Sequence, residues 1–198
     1  MGRPQAFDTA TAVRAARDLF WDRGYDATSL ADLEHATGLN RSSLYNAFGS
    51  KRGLFDHAVR DYLDTVVAPR LAPLRAPGAG PDAAVTYLRE LADVLADDRS
   101  RSARLGCLLV NTSTSIAAHD ETLARTVAAH RDDLVDAFTD ALTPCPDLDA
   151  PRVARTTAAL TIAALTVART APQAAAELLR DAATDLAART GPTHQEHP

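Results

Sequence analysis

Residues 37–55, TGLNRSSLYNAFGSKRGLF, gather Arg41, Ser42, Ser43, Tyr45, Asn46, Lys51 and Arg52 within a few helical turns, and Lys51 is the only lysine of the chain. The chemistry these side chains can do is recognition. A guanidinium pairs two acceptors in one plane, short hydroxyls and amides donate or accept, and an ammonium meets an anionic oxygen. Arg41 suits the two acceptors that guanine shows in a major groove, worth roughly 1–3 kcal/mol for a bidentate pair. Tyr45 and Lys51 suit phosphate oxygens, and Thr28 adds a hydroxyl upstream. Arg52 offers a further phosphate contact. Asn40, Ser42, Ser43 and Asn46 complete the candidate set with short polar groups.

Short helices must position these groups. Val13, Ala16, Leu19 and Phe20 recur at helical spacing, predicting a helix from about Asp8 to Trp21 that stops at Arg23-Gly24. Thr28 or Ser29 offers an N-cap oxygen with Asp32 early in the turn that follows. Leu30, Leu33 and Ala36 share the face of this second helix, and Gly38 ends it. Asn40 can cap a third helix with Leu44 and Phe48 four apart, stopped by Gly49. Ser50 can cap a fourth, starting at Lys51 with Leu54, Phe55, Val59, Tyr62 and Leu63 or Val66 as its stripe. Pro69 and Pro73 are expected to terminate it.

Two short helices about a glycine turn, the second polar on its open face, outline a helix-turn-helix. The stretch TSLADLEHATGLNRSSLYNAFGSKRGLF, residues 28–55, also resembles the N-terminal domain of the tetracycline-repressor (TetR, AcrR-like) family of bacterial transcriptional regulators. Thr28-Ser29, Thr37-Gly38-Leu39, Leu44-Tyr45-Asn46-Ala47-Phe48 and Ser50-Lys51-Arg52-Gly53-Leu54 stand in the family's order. Glu34, Ser42 and Arg52-Gly53 depart from its usual residues. The resemblance covers roughly residues 8–65. It implies an all-α fold of about nine helices: a three-helix helix-turn-helix domain (5–65), a larger ligand-binding and dimerisation domain (66–190) and a disordered tail (191–198). It further implies a homodimer on a palindromic operator, with an unknown small-molecule effector changing the spacing of the two recognition helices. Repression is the expected mode.

Charge fits that division. The net charge is -5, which by itself argues against a nucleic-acid partner. Residues 1–60, however, carry eight Arg and Lys against seven Asp and Glu, whereas the remaining 138 carry thirteen against nineteen. At a Debye length of about 8 Å, distant acidic charge does little harm.

Beyond residue 66, the Pro- and Gly-rich segment 72–82 reads as a linker. Helices are expected near 82–98, 102–117, 120–142, 151–170 and 173–189. The last two mix Val153, Leu160, Ile162, Leu165 and Val167 with small residues, a surface suited to a homodimer interface. Tyr87, Cys107, Asn111, His130 and Phe138 are polar or aromatic groups among apolar helices, and are the candidate effector contacts. GCLLVNT, residues 106–112, resembles a subgroup with Gly-Cys at this helix start, one member of which senses electrophiles through its cysteine. A helix N-terminus with Arg104 nearby would favour a Cys107 thiolate. A small buried hydrophobe is the plainer role for the same cysteine.

No catalytic constellation emerges. Ser113, His130 and Asp133 can be grouped only on paper, without a glycine-framed nucleophile turn. The histidines and the two cysteines lack metal spacing, so neither metal nor cofactor is expected. No apolar run is long enough to cross a bilayer and no signal-peptide core is visible, so a cytoplasmic protein is expected. Two other readings of the basic cluster remain: a solvated helical hairpin, and a helical adaptor that binds protein.

Overall fold

The computed structural model describes residues 8–113 and 116–191, and all regular elements among them are helical. Residues 5–7, 114–115 and 192–198, parts of the expected head, of the expected helix 102–117 and of the expected tail, lie outside the described residues. The first helices form where predicted, each with its own stop signal. They are α1 (Thr9–Arg23), α2 (Leu30–Thr37) and α3 (Arg41–Phe48), with α4 (Lys51–Tyr62) following. Asp8, Ser29, Asn40 and Ser50 each accept an N–H of the first turn they cap. Ser29 and Asp32 form a reciprocal capping box, and Gly38 closes α2 in the left-handed conformation at φ 69°.

Packing is tight at the α3–α4 junction. A Cβ at Gly53 would collide with the Phe48 carbonyl oxygen, so no larger residue fits in this chain unless the backbone shifts. Around it Leu33, Leu44 and Phe48 pack with Phe20 and Phe55, whose rings meet edge to face at 5.0 Å.

The expected stop of the fourth helix is corrected. α4 runs without a break into a π-helical turn (Leu63–Val67), then α5 (Ala68–Leu71) and a 3-10 turn (Ala72–Arg75). The Ala68 N–H bonds to the Leu63 carbonyl five residues back, a widened turn that accommodates the ring and missing N–H of Pro69. One rod thus spans residues 51–75. Leu74, in the expected linker, is fully buried, and only 76–80 separate the rod from α6 (Pro81–Ala96).

The helix expected over 102–117 is also corrected. It divides into α7 (Arg101–Leu105) and α8 (Leu108–Ser113), because Gly106 adopts φ 68° and its N–H returns to Ser102. A Cβ there would meet the Leu165 carbonyl oxygen at 2.7 Å. After a 3-10 turn (Ile116–His119) come α9 (Glu121–Leu142), α10 (Ala150–Val167) and α11 (Pro172–Thr190). The body core is built from α6 against α11 and α9 against α10, through Leu88, Leu95, Leu134, Phe138 and Leu179. Among the described residues no helix is long and apolar enough to cross a membrane.

Candidate nucleic-acid interface

Leu44 and Phe48 anchor α3 in the head, so the opposite face must point outward. Arg41, Ser42, Tyr45 and Asn46 are exposed there, and Ser43 is partly exposed. Tyr45 is 41% exposed, unusual for a large ring, and the Arg41 guanidinium lies 5.8 Å from its centroid. The Asn40 side-chain oxygen accepts the Ser43 N–H at 2.9 Å, so only its amide N–H groups are left for an external acceptor.

Lys51 is half-buried at the start of α4, with Nζ 4.3 Å from the centroid of Tyr25, a ring that itself packs edge to face on Phe55. Burial lowers the ammonium's pKa from its usual value, while the Asp26 charge opposes that shift. Among the described residues neither Arg41 nor Lys51 forms an ion pair, whereas Arg17, Arg23 and Arg52 are each engaged by aspartates. Two cations without an ion pair there, on an otherwise hydroxyl- and amide-bearing face, form an electrostatic footprint for an anionic polymer.

Two sequence-predicted contacts are corrected. Thr28 is 1% exposed, and its hydroxyl donates to the Gly24 carbonyl at 2.6 Å, so it ties the α1–α2 turn rather than facing a ligand. Arg52 donates to Asp56 at 2.8 Å and closes a forked pair with Asp120, the N-cap of α9. Its guanidinium therefore joins head to body instead of reaching toward phosphate. Three further contacts, the first within the head and the other two between head and body, escaped sequence reasoning because their partners are distant in the chain. Arg17 bonds Asp61 at 2.7 Å, the Trp21 ring N–H donates to the Gly106 carbonyl at 3.2 Å, and Arg169 donates to the Asp22 carbonyl at 2.8 Å.

In the body, Tyr87, Cys107 and His130 line one inner cavity of about 30 Å³ between the rod, α6, α8, α9 and α10. Phe138 and Asn111, also expected there, stand elsewhere. Phe138 is fully buried behind Tyr87, edge to face at 5.3 Å, and the Asn111 amide donates to the Leu105 carbonyl at the Gly106 turn. Cys107 is 2% exposed and neighbours Tyr62 on the cavity wall, while Arg104 is exposed on α7. Burial raises the Tyr62 pKa well above its usual value, and the neighbouring Cys107 adds to the rise.

Tyr62 and Arg70 are cavity residues that the sequence assigned to a plain apolar stripe and a helix end. Only the continuation of the rod through Pro69 brings Arg70 onto the wall. The Nδ1 of His130 is buried without a hydrogen-bond partner among the described residues. Burial lowers that imidazole's pKa, with Asp133 opposing.

Comparison with known proteins agrees with this arrangement. The family profile described as "Bacterial regulatory proteins, tetR family" matches residues 12–58. Over 138 residues the chain is 37% identical to the uncharacterized HTH-type transcriptional regulator YezE of Bacillus subtilis (strain 168), covering 70% of each protein. It is 35% identical over 127 residues to the HTH-type transcriptional repressor ComR of Escherichia coli (strain K12), covering 64% of this chain and 59% of that one. Among solved structures, a cysteine-substituted form of the TetR-family regulator CifR, complexed with 26-base-pair operator DNA, superposes with a TM-score of 0.78 at 29% identity. That match covers 92% of this chain and 98% of CifR. With a helix-turn-helix head, an all-helical body and relatives that are regulators rather than enzymes, the chain belongs to the TetR family of bacterial regulatory proteins.

Proposed function

We propose that this protein is a ligand-responsive transcriptional repressor that binds a palindromic operator as a homodimer. The observation that carries the reading is the open face of α3, where Arg41, Ser42, Tyr45 and Asn46 stand exposed and Arg41 has no ion pair among the described residues. Lys51 flanks that face at the start of the next helix. The helix-turn-helix kinship and the operator complex of CifR support it. In this reading residues 5–65 are the DNA-binding unit, and 66–190 the sensing and dimerising unit. Arg41 reads a base edge, Ser42, Ser43 and Asn46 add short polar contacts, and Tyr45, Lys51 and the Asn40 amide hold phosphates.

The dimer is assigned to the outer faces of α10 and α11, where Ala159, Ala163 and Val167 are exposed beside the half-buried Leu160 and Leu178. The effector site is the inner cavity. Its wall includes Val67, Arg70 and Leu71 of the same rod that begins at Lys51 under the recognition helix. A ligand that widens the cavity therefore tilts the rod and changes the spacing of two heads that must match half-sites about 34 Å, or a small increment, apart.

The test is fluorescence anisotropy on labelled DNA from upstream of the protein's own gene and on scrambled DNA, at two salt concentrations, with sedimentation for the dimer. Selective, salt-sensitive binding that Arg41→Ala weakens about 10- to 100-fold is expected. Equal weak binding to both DNAs, unchanged by Arg41→Ala, would favour an adaptor that binds protein through the same face.

A further inference from the structure

Among the described residues, the half-buried arginine on α5 differs in its surroundings from those of the head. Arg17 and Arg52, the other half-buried arginines described near the head–body junction, each hold two aspartates. Arg70 on α5 is also half-buried, yet no carboxylate lies within bonding distance among the described residues. Its one hydrogen bond is from Nη2 to the hydroxyl of Ser102 at 3.0 Å. A guanidinium removed from water without a counter-charge is costly, and most of its donors remain unused.

Arg70 occupies a partition. On one side lies the inner cavity; on the other, an outer cleft of about 190 Å³ between the rod and α6. Tyr87 and Leu91 line both spaces with it. The Tyr87 hydroxyl makes no hydrogen bond within the described residues. Burial raises its pKa well above the ordinary value, with the Arg70 charge opposing, so at neutral pH it is a protonated donor. Two groups with donors not committed to a protein acceptor among the described residues, one of them cationic, thus face the same space.

The rest of the inner wall is mainly apolar, with Leu71, Leu91, Val110 and Leu134. Its other polar groups are the neighbouring Tyr62 and Cys107 and, at the α9 side, the His130 Nδ1, which has no hydrogen-bond partner among the described residues. Glu90 lines the outer cleft and is exposed, so a negative ligand is favoured inward of it and a doubly charged one is not.

We infer that the effector is a small amphipathic monocarboxylate, whose head bridges Arg70 and Tyr87 while its apolar body enters the inner cavity from the α5–α6 cleft. This rests on the effector-site reading above and adds the chemical class and the route. The cavity of about 30 Å³ holds little more than a water, so the apolar body must widen it. That displaces the wall formed by the rod.

The test uses the full-length protein and a matched pair of probes, 4-phenylbutyrate and 4-phenylbutan-1-ol, titrated by calorimetry without DNA. A charge-assisted contact predicts that the carboxylate binds about 10- to 100-fold tighter than the alcohol. Arg70→Gln should abolish that preference, and Arg70→Lys should retain part of it. Equal binding of the two probes, binding of neither, or a preference that survives Arg70→Gln overturns the inference. The wild-type comparison decides the charge class even if a variant does not fold. Operator release is read separately by anisotropy. Arg70-dependent carboxylate binding without release leaves the ligand class standing and removes the release mechanism; release by the alcohol alone does the reverse.

Discussion

Replacing Arg52 with methionine separates two roles that one guanidinium cannot fill at once. In the structure it forks onto Asp120 and also bonds Asp56, and the Arg52 and Asp120 side chains are each 26% exposed. Fully exposed pairs contribute about 0.2–1 kcal/mol, whereas breaking a buried pair costs about 3–5 kcal/mol. A pair at this depth with forked geometry should couple by about 1.5 kcal/mol. Asp120 also caps α9 by accepting the Leu123 N–H at 2.9 Å, so the partner change must spare the cap. Asp120→Asn does so, since asparagine caps about as well as aspartate. Urea unfolding of the wild type, both single variants and the double variant yields the coupling. Salt titration of operator binding supplies the second arm. A phosphate contact would lower the slope of log K against log salt by about 0.9 on its loss, while a head–body clasp leaves the slope unchanged. A coupling below about 0.3 kcal/mol together with a slope reduced by about 0.9 would refute the clasp.

Gly106→Ala should destabilise the fold by about 2 kcal/mol or more, because an L residue is strained at φ 68° and its Cβ would strike the Leu165 carbonyl oxygen; an unchanged urea midpoint would contradict this. Thr28→Val removes the buried donor to Gly24 and should lower stability by about 1 kcal/mol without altering the operator affinity of the folded protein. A tenfold affinity loss at unchanged stability would restore Thr28 as a DNA contact. His130 titrates below its ordinary value near 6.5 in the folded chain, so the unfolded chain takes up this proton first as pH falls. Its contribution to stability is full above about pH 6.5 and is lost as pH drops through the folded value. Unfolding free energies between about pH 7.5 and 5.5 should therefore fall more steeply for the wild type than for His130→Gln, and equal slopes would show that the imidazole is solvated.

Local signals within the sequence were sufficient for the head. Caps at Asp8, Ser29, Asn40 and Ser50 and stops at Gly24, Gly38 and Gly49 act over one turn, so each helix boundary there is written in adjacent residues. The pairing of Leu44 with Phe48 determined which face of α3 is buried and therefore which side chains face out. The long helices α9, α10 and α11 were equally legible, since about five to six turns of periodic apolar residues outweigh an error at either end.

Tertiary structure alone decided the remainder. Pro69 carries the signature of a helix stop, but burial of Leu71 and Leu74 against the body holds the chain helical through a π turn, and that continuation puts Arg70 in the wall of a cavity. Arg52 has the local appearance of a phosphate ligand; its neighbour Asp56 takes part of its charge, and the approach of Asp120, 68 residues away, turns the guanidinium to the body. Thr28 looks like a free hydroxyl until α1 and α2 close over it. Capping and periodicity are short-range properties of the backbone. The partner of a long, charged side chain depends on which distant segments the apolar core brings together, and no local pattern encodes that choice.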